Sequence, residues 1–98
     1  MKVTELKGAQ LDYWVARAEG LKKDQPNWVA YSTMWSVGGP IMERAKISVC
    51  PGTEGWIAEN WDESRYGSGP TILIAAMRCF VASKFGEEVP DAPTAKSD

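Results

Sequence analysis

Apolar positions along the chain change their spacing from segment to segment, and the spacing predicts the elements. From Gly8 to Glu19, Leu11, Trp14, Val15 and Ala18 recur at i, i+3, i+4 and i+7, the spacing of one helix face. Gly20 suits the left-handed position that ends such a helix. The polar run from Leu21 to Asn27 contains Pro26 and predicts a connecting loop. Trp28 to Tyr31 has the aromatic and β-branched content of a short strand.

Ser36-Val37-Gly38-Gly39-Pro40 reads as a point of backbone punctuation, followed by a helical turn at Ile41 to Arg44 and a strand at Lys46 to Val49. The turn formers Cys50-Pro51-Gly52-Thr53-Glu54-Gly55 separate two apolar segments, Ile47 to Val49 and Trp56 to Ala58. A β-hairpin is the economical reading. Asn60 to Gly69 mixes charge, glycine and serine and predicts an exposed loop. Pro70 then opens a second helix reaching Phe85, with Gly86 as its stop and Ser68 or Gly69 at its cap. That helix is apolar nearly all round, with Arg78 the only charge before Lys84. Leu73, Ala76, Met77 and Phe80 are therefore expected in the core.

These elements predict an α+β fold in which two helices pack on one face of a small antiparallel sheet containing a hairpin. The expected domain runs over residues 1–89. Residues 90–98, polar and proline-containing, form an expected flexible tail, because their burial would not offset the entropy of ordering them.

Composition narrows the classes of function. The 98 residues suit one core, and 44% hydrophobic with 24% charged residues is ordinary globular usage. No apolar run approaches the roughly 18 residues that span a bilayer, and the start predicts no signal peptide, so a soluble intracellular protein is expected. Eleven basic and thirteen acidic side chains leave a net charge of -2, which disfavours nonspecific binding to nucleic acid and leaves room only for a local basic patch. Histidine is absent, which removes Ser-His and Cys-His nucleophile pairs. Cys50 and Cys79 have neither metal-knuckle spacing nor a basic sequence neighbour to activate them, and no cofactor or metal is expected.

Three segments together resemble the NinX-like family of small phage and prophage proteins, whose function is not assigned. They are Thr4 to Gly20, then Tyr31-Ser32 with Gly38-Gly39-Pro40-Ile41-Met42-Glu43-Arg44, and Gly69-Pro70-Thr71 with Leu73 to Arg78. The resemblance implies a phage or prophage origin and hence the cytoplasm of a bacterial host. It carries no catalytic or binding residues across. At the position where the family often has a capping threonine stands Lys7, so no side-chain cap is expected there.

Candidate chemistry comes from the residues themselves. Five tryptophans, Trp14, Trp28, Trp35, Trp56 and Trp61, exceed an ordinary share. Core or edge packing explains most of such a set, with Trp35 and Trp61, beside polar loops, as the exceptions. The first candidate surface is Trp35, Gly38, Gly39, Pro40, Glu43 and Arg44: glycines allow close approach, the indole anchors and the charges rim it. Trp61 and Arg65 form a secondary candidate. Gly67-Ser68-Gly69 before a helix has a weak likeness to an anion-binding turn, without the lysine of a P-loop.

Three functions remain in view. The first is a non-enzymatic phage accessory protein that binds a host or phage protein. The second is a small-ligand or nucleic-acid-binding domain using exposed tryptophans with Arg44, Lys46 and Arg65. The third, an enzyme, would need two close carboxylates of unlike pKa among residues such as Glu43, Asp62 and Glu63.

Overall fold

The most apolar run of the chain becomes its central helix. In a computed structural model that describes residues 1–20 and 29–90, this helix covers Ile72–Phe85, with Leu73, Ala76, Met77 and Phe80 all buried as their spacing predicts. Before it come a short 3-10 turn at Val3–Glu5, helix α1 (Gly8–Ala18), helix α2 (Trp35–Ala45), and strands β1 (Ser48–Pro51), β2 (Trp56–Glu59) and β3 (Tyr66–Gly69). The central helix is α3. The strands form one antiparallel sheet in the order β1-β2-β3, with Ala58 opposite both Val49 and Gly67. The inward face of the sheet packs on α3, while α1 and α2 pack on other sides of the same helix. A helix touched by both layers has no side left for polar residues, which explains its composition.

The α+β class, the hairpin and both expected helices are present, and α2 adds a third. Gly38-Gly39-Pro40 does not interrupt the chain: it lies inside α2. Proline in a helix interior leaves a carbonyl without its donor, here that of Ser36, and two glycines lower the propensity further. Tertiary packing outweighs this. Gly38 is buried, and a Cβ on it would overlap the Tyr31 carbonyl oxygen and come within 2.9 Å of Leu73 Cδ2. Ser36 and Pro40 are both exposed, so water can serve the freed carbonyl. Lys46 then takes a left-handed conformation, φ 57°, and its N–H and that of Ile47 donate to Glu43 and Met42 carbonyls at 3.2 and 3.0 Å. The strand therefore starts at Ser48, two residues later than Lys46.

Other boundaries also move for local reasons. Trp28 lies outside the described residues, and the expected strand through Tyr31 is a turn, with Thr33 and Met34 N–H groups donating to Ala30 at 3.1 and 2.9 Å. The loop expected over Asn60 to Gly69 ends in β3. Its Gly67 and Gly69 face α3, where a Cβ on Gly67 would overlap the Ala75 carbonyl oxygen and sit 2.5 Å from Cys79 N. The cap of α3 is Thr71, whose Oγ1 accepts the Ile74 N–H at 3.1 Å, and Pro70 precedes the cap instead of opening the helix. Lys7 gives α1 no side-chain cap, as expected, and Gly20 follows it at φ 97°.

The N-terminus pairs with the segment that follows α3. The Met1 ammonium donates to the Val89 carbonyl at 2.7 Å, the Val89 N–H returns to Met1 at 2.9 Å, and the Val3 N–H donates to Glu87 at 2.9 Å. Val89 is buried by this pairing. Of the expected tail, only Pro90 is described; residues 91–98 lie outside the described residues. Arg78 adds a second tie, donating from Nε to Leu6 O at 2.9 Å and from Nη1 to Ser68 O at 2.7 Å, so one side chain joins the N-terminal segment to β3.

Candidate functional site

The first candidate surface divides along α2. At its N-terminal end Trp35 is 55% exposed, next to Met34 at 49%, with Val29 at 40% in the turn before it. Of the three, Trp35 borders a shallow groove of about 380 Å³ whose lining also includes Ser32, Trp56, Thr71 and Leu73. Gly39 lies beside the indole, where an added Cβ would stand 3.5 Å from Trp35 Cε3. Gly38 faces inward as described. Pro40 and Glu43 are exposed on α2 outside this groove. Arg44 stands nine residues from Trp35, about 13 Å along the helix axis, where it pairs with Glu19 at the end of α1.

Arg44 instead shares a cleft with Trp61. Both line a cleft of about 700 Å³ between the α1 and α2 ends, the β2–β3 loop and the last turns of α3, together with Glu19, Asp62, Ser83 and Lys84. The loop is held from within. Asn60 Oδ1 accepts the N–H groups of Ser64 and Arg65 at 2.9 and 3.1 Å, and Asn60 Nδ2 donates to Ser64 Oγ at 3.0 Å. Asp62 Oδ1 also accepts the Ser64 N–H, at 3.1 Å, and the Ser64 hydrogen bonds hold the Asp62 carboxyl below its usual range. Arg65, on the same loop as Trp61, borders a different cleft of about 410 Å³ that also holds Lys2, Tyr66, Arg78, Glu87 and Glu88. Burial depresses the Arg78 guanidinium from its ordinary value.

Gly67-Ser68-Gly69 belongs to a strand paired with β2, and Thr71 caps the helix that follows, so the likeness to an anion-binding turn gives way to close packing. Cys50 and Cys79 are both free. Burial, then the charge of Glu59, pushes the Cys79 thiol up to about 11, the opposite of an activated thiolate. Among the described residues no three His, Cys, Asp or Glu side chains are grouped to hold a metal, and no helix is long and apolar enough to cross a membrane.

One functional-looking group was not visible in the spacing. Asp12 is only 9% exposed on α1, and its Oδ1 accepts the buried Ser32 N–H at 2.8 Å, fixing the turn that leads to Trp35. An acid among the apolar residues of a helix was the only signal. Burial raises its pKa more than the Ser32 hydrogen bonds lower it. A carboxyl with a raised folded pKa favours folding most at low pH, and that contribution falls as pH rises through the folded value. Asp12→Asn keeps the acceptor without the charge, and the Ser32 hydroxyl can turn to accept from the new amide. Urea unfolding should show Asp12→Asn at least as stable as the parent at pH 7, with the difference shrinking towards pH 4. Asp12→Ala strands the Ser32 N–H and should cost about 1–3 kcal/mol, more at pH 4 than at pH 7, because only the parent gains stability as Asp12 is protonated.

Residues 2–84 of the chain match the family described as Bacteriophage P22, NinX. No curated protein matches it. The matched span contains both tryptophan surfaces, and the Glu87 to Val89 segment that pairs with the N-terminus lies beyond it.

Proposed function

The chain belongs to the family described as Bacteriophage P22, NinX, and from that membership we propose that it is a non-enzymatic phage accessory protein that binds a host or phage protein in the cytoplasm of the infected bacterium. The observation that carries this reading is the exposure of Trp35 beside a groove, with Met34 and Val29 exposed close by in the chain. A tryptophan half in water next to a concave apolar surface has the composition of an interface anchor. Leaving it exposed without a partner wastes most of the roughly 25 cal/mol per Å² that burying its ring would contribute. Asp12 holds the turn before Trp35, so little backbone order has to be gained there on docking.

The test is capture from lysates of infected and uninfected host cells with the tagged chain, alongside Trp35→Ala and Trp61→Ala. The expected result is a protein retained by the parent and by Trp61→Ala and lost with Trp35→Ala, at unchanged melting temperature. Identical captures by all three would remove Trp35 from the function.

A further inference from the structure

The β2–β3 loop carries an indole in water on an ordered turn. Trp61 is 72% exposed, the most exposed of the large hydrophobic side chains described. The loop beneath it is far from slack: Asn60 and Asp62 make four hydrogen bonds to Ser64 and Arg65. Glu63 adopts a left-handed conformation, φ 61°, that disfavours a residue with a side chain. The ordered loop leaves Trp61 mostly in water, and its side chain lines the neighbouring cleft.

The charge around that cleft selects among ring-shaped ligands. Arg44 and Lys84 face Glu19 and Asp62, and Arg44 is already paired with Glu19. A nucleotide phosphate entering here would meet as much negative as positive charge and gain no net Coulomb attraction. A neutral ring bearing several hydroxyls suffers no such cancellation. Its hydroxyls can donate to the Glu19 and Asp62 carboxylates and accept from the Lys84 ammonium, hydrogen bonds strengthened by the ionised partner. Its C–H face is apolar and flat enough to lie on an indole, whose own N–H end stays wet. About 700 Å³ lies within the range of small-molecule sites.

We propose that the Trp61 cleft binds a neutral saccharide, with the ring stacked on Trp61 and its hydroxyls bonded to Glu19, Asp62 and Lys84. The site stands at the opposite end of α2 from Trp35 and is independent of the protein-binding reading above.

The experiment is a titration followed by amide and indole N–H resonances, with maltotriose, triacetylchitotriose and lactose as neutral probes and adenosine monophosphate as the charged one. Trp61→Phe identifies the indole signal. The expected result is saturable movement of the Trp61 indole and of the Asp62 and Lys84 amides with at least one saccharide, in the millimolar range. Trp61→Ala should weaken that binding about tenfold or more, equal to about 1.4 kcal/mol, and Asp62→Asn should weaken it less. Trp61 is exposed and Asp62 lies on the surface, so both variants should keep the parent's spectrum elsewhere. No movement with any of the three saccharides, saturation that survives Trp61→Ala, or tighter binding of adenosine monophosphate than of every saccharide would each overturn the proposal.

Discussion

Replacing Gly67 with alanine should lower the melting temperature by about 15 °C, equivalent to about 3 kcal/mol for a domain of this size. The reason lies in what the added methyl would meet. Its carbon would overlap the Ala75 carbonyl oxygen and stand 2.5 Å from Cys79 N and 3.0 Å from Cys79 Cα. All three are backbone atoms of α3, which no rotamer change can move aside. Either β3 lifts off the helix, breaking its register with β2, or α3 shifts against α1 and α2, which also pack on it. Ser68, one residue along, points to the open face and is exposed, so Ser68→Ala is the matched control and should leave the transition within about 0.5 kcal/mol. Equal melting temperatures for Gly67→Ala and the parent would mean that the strand and helix are not so closely seated.

Ala76→Asp should unfold the protein outright at neutral pH. Ala76 is fully buried on α3, among Leu73, Met77 and Phe80. An ionised carboxylate there has no described partner, and an unpaired buried charge costs several kcal/mol, comparable with the entire stability of a small domain. The pH dependence gives a second readout. The new carboxyl would have a strongly raised folded pKa, so structure should return in part as pH falls and the group becomes neutral. Far-UV circular dichroism from pH 7 to 4 would show it. A cooperative transition at pH 7 matching that of the parent would place α3 at the surface, against both its composition and its burial.

The two variants probe different kinds of information. Ala76 and its neighbours were legible as core because apolar residues on every side of a helix leave it no solvent face. The first helix, the Val49–Trp56 hairpin and the stop at Gly86 were legible for similar reasons, since spacing and turn chemistry are local properties. Exposure of Trp35 and Trp61 also followed from their polar neighbours in the chain. The family resemblance rested on residues in order along the sequence, and the match over residues 2–84 agrees with it.

What the local code misplaced were the segments where a distant contact outweighs propensity. Gly38-Gly39-Pro40 says turn when read alone, yet the Tyr31 carbonyl and Leu73 leave room there only for a helix whose buried position lacks a side chain. Gly67-Ser68-Gly69 says loop or anion site, yet it is a strand because α3 requires an inward face without Cβ atoms. The six residues proposed around Trp35 share a stretch of sequence but not a surface, because a helix carries Arg44 about 13 Å from Trp35. Arg44 and Trp61, 17 positions apart, border one cleft instead. Chain order sets spacing and turn chemistry, but close approach between α3 and β3, the tie from Asp12 to Ser32, and the cleft that Arg44 and Trp61 share depend on distances that exist only once the chain has packed.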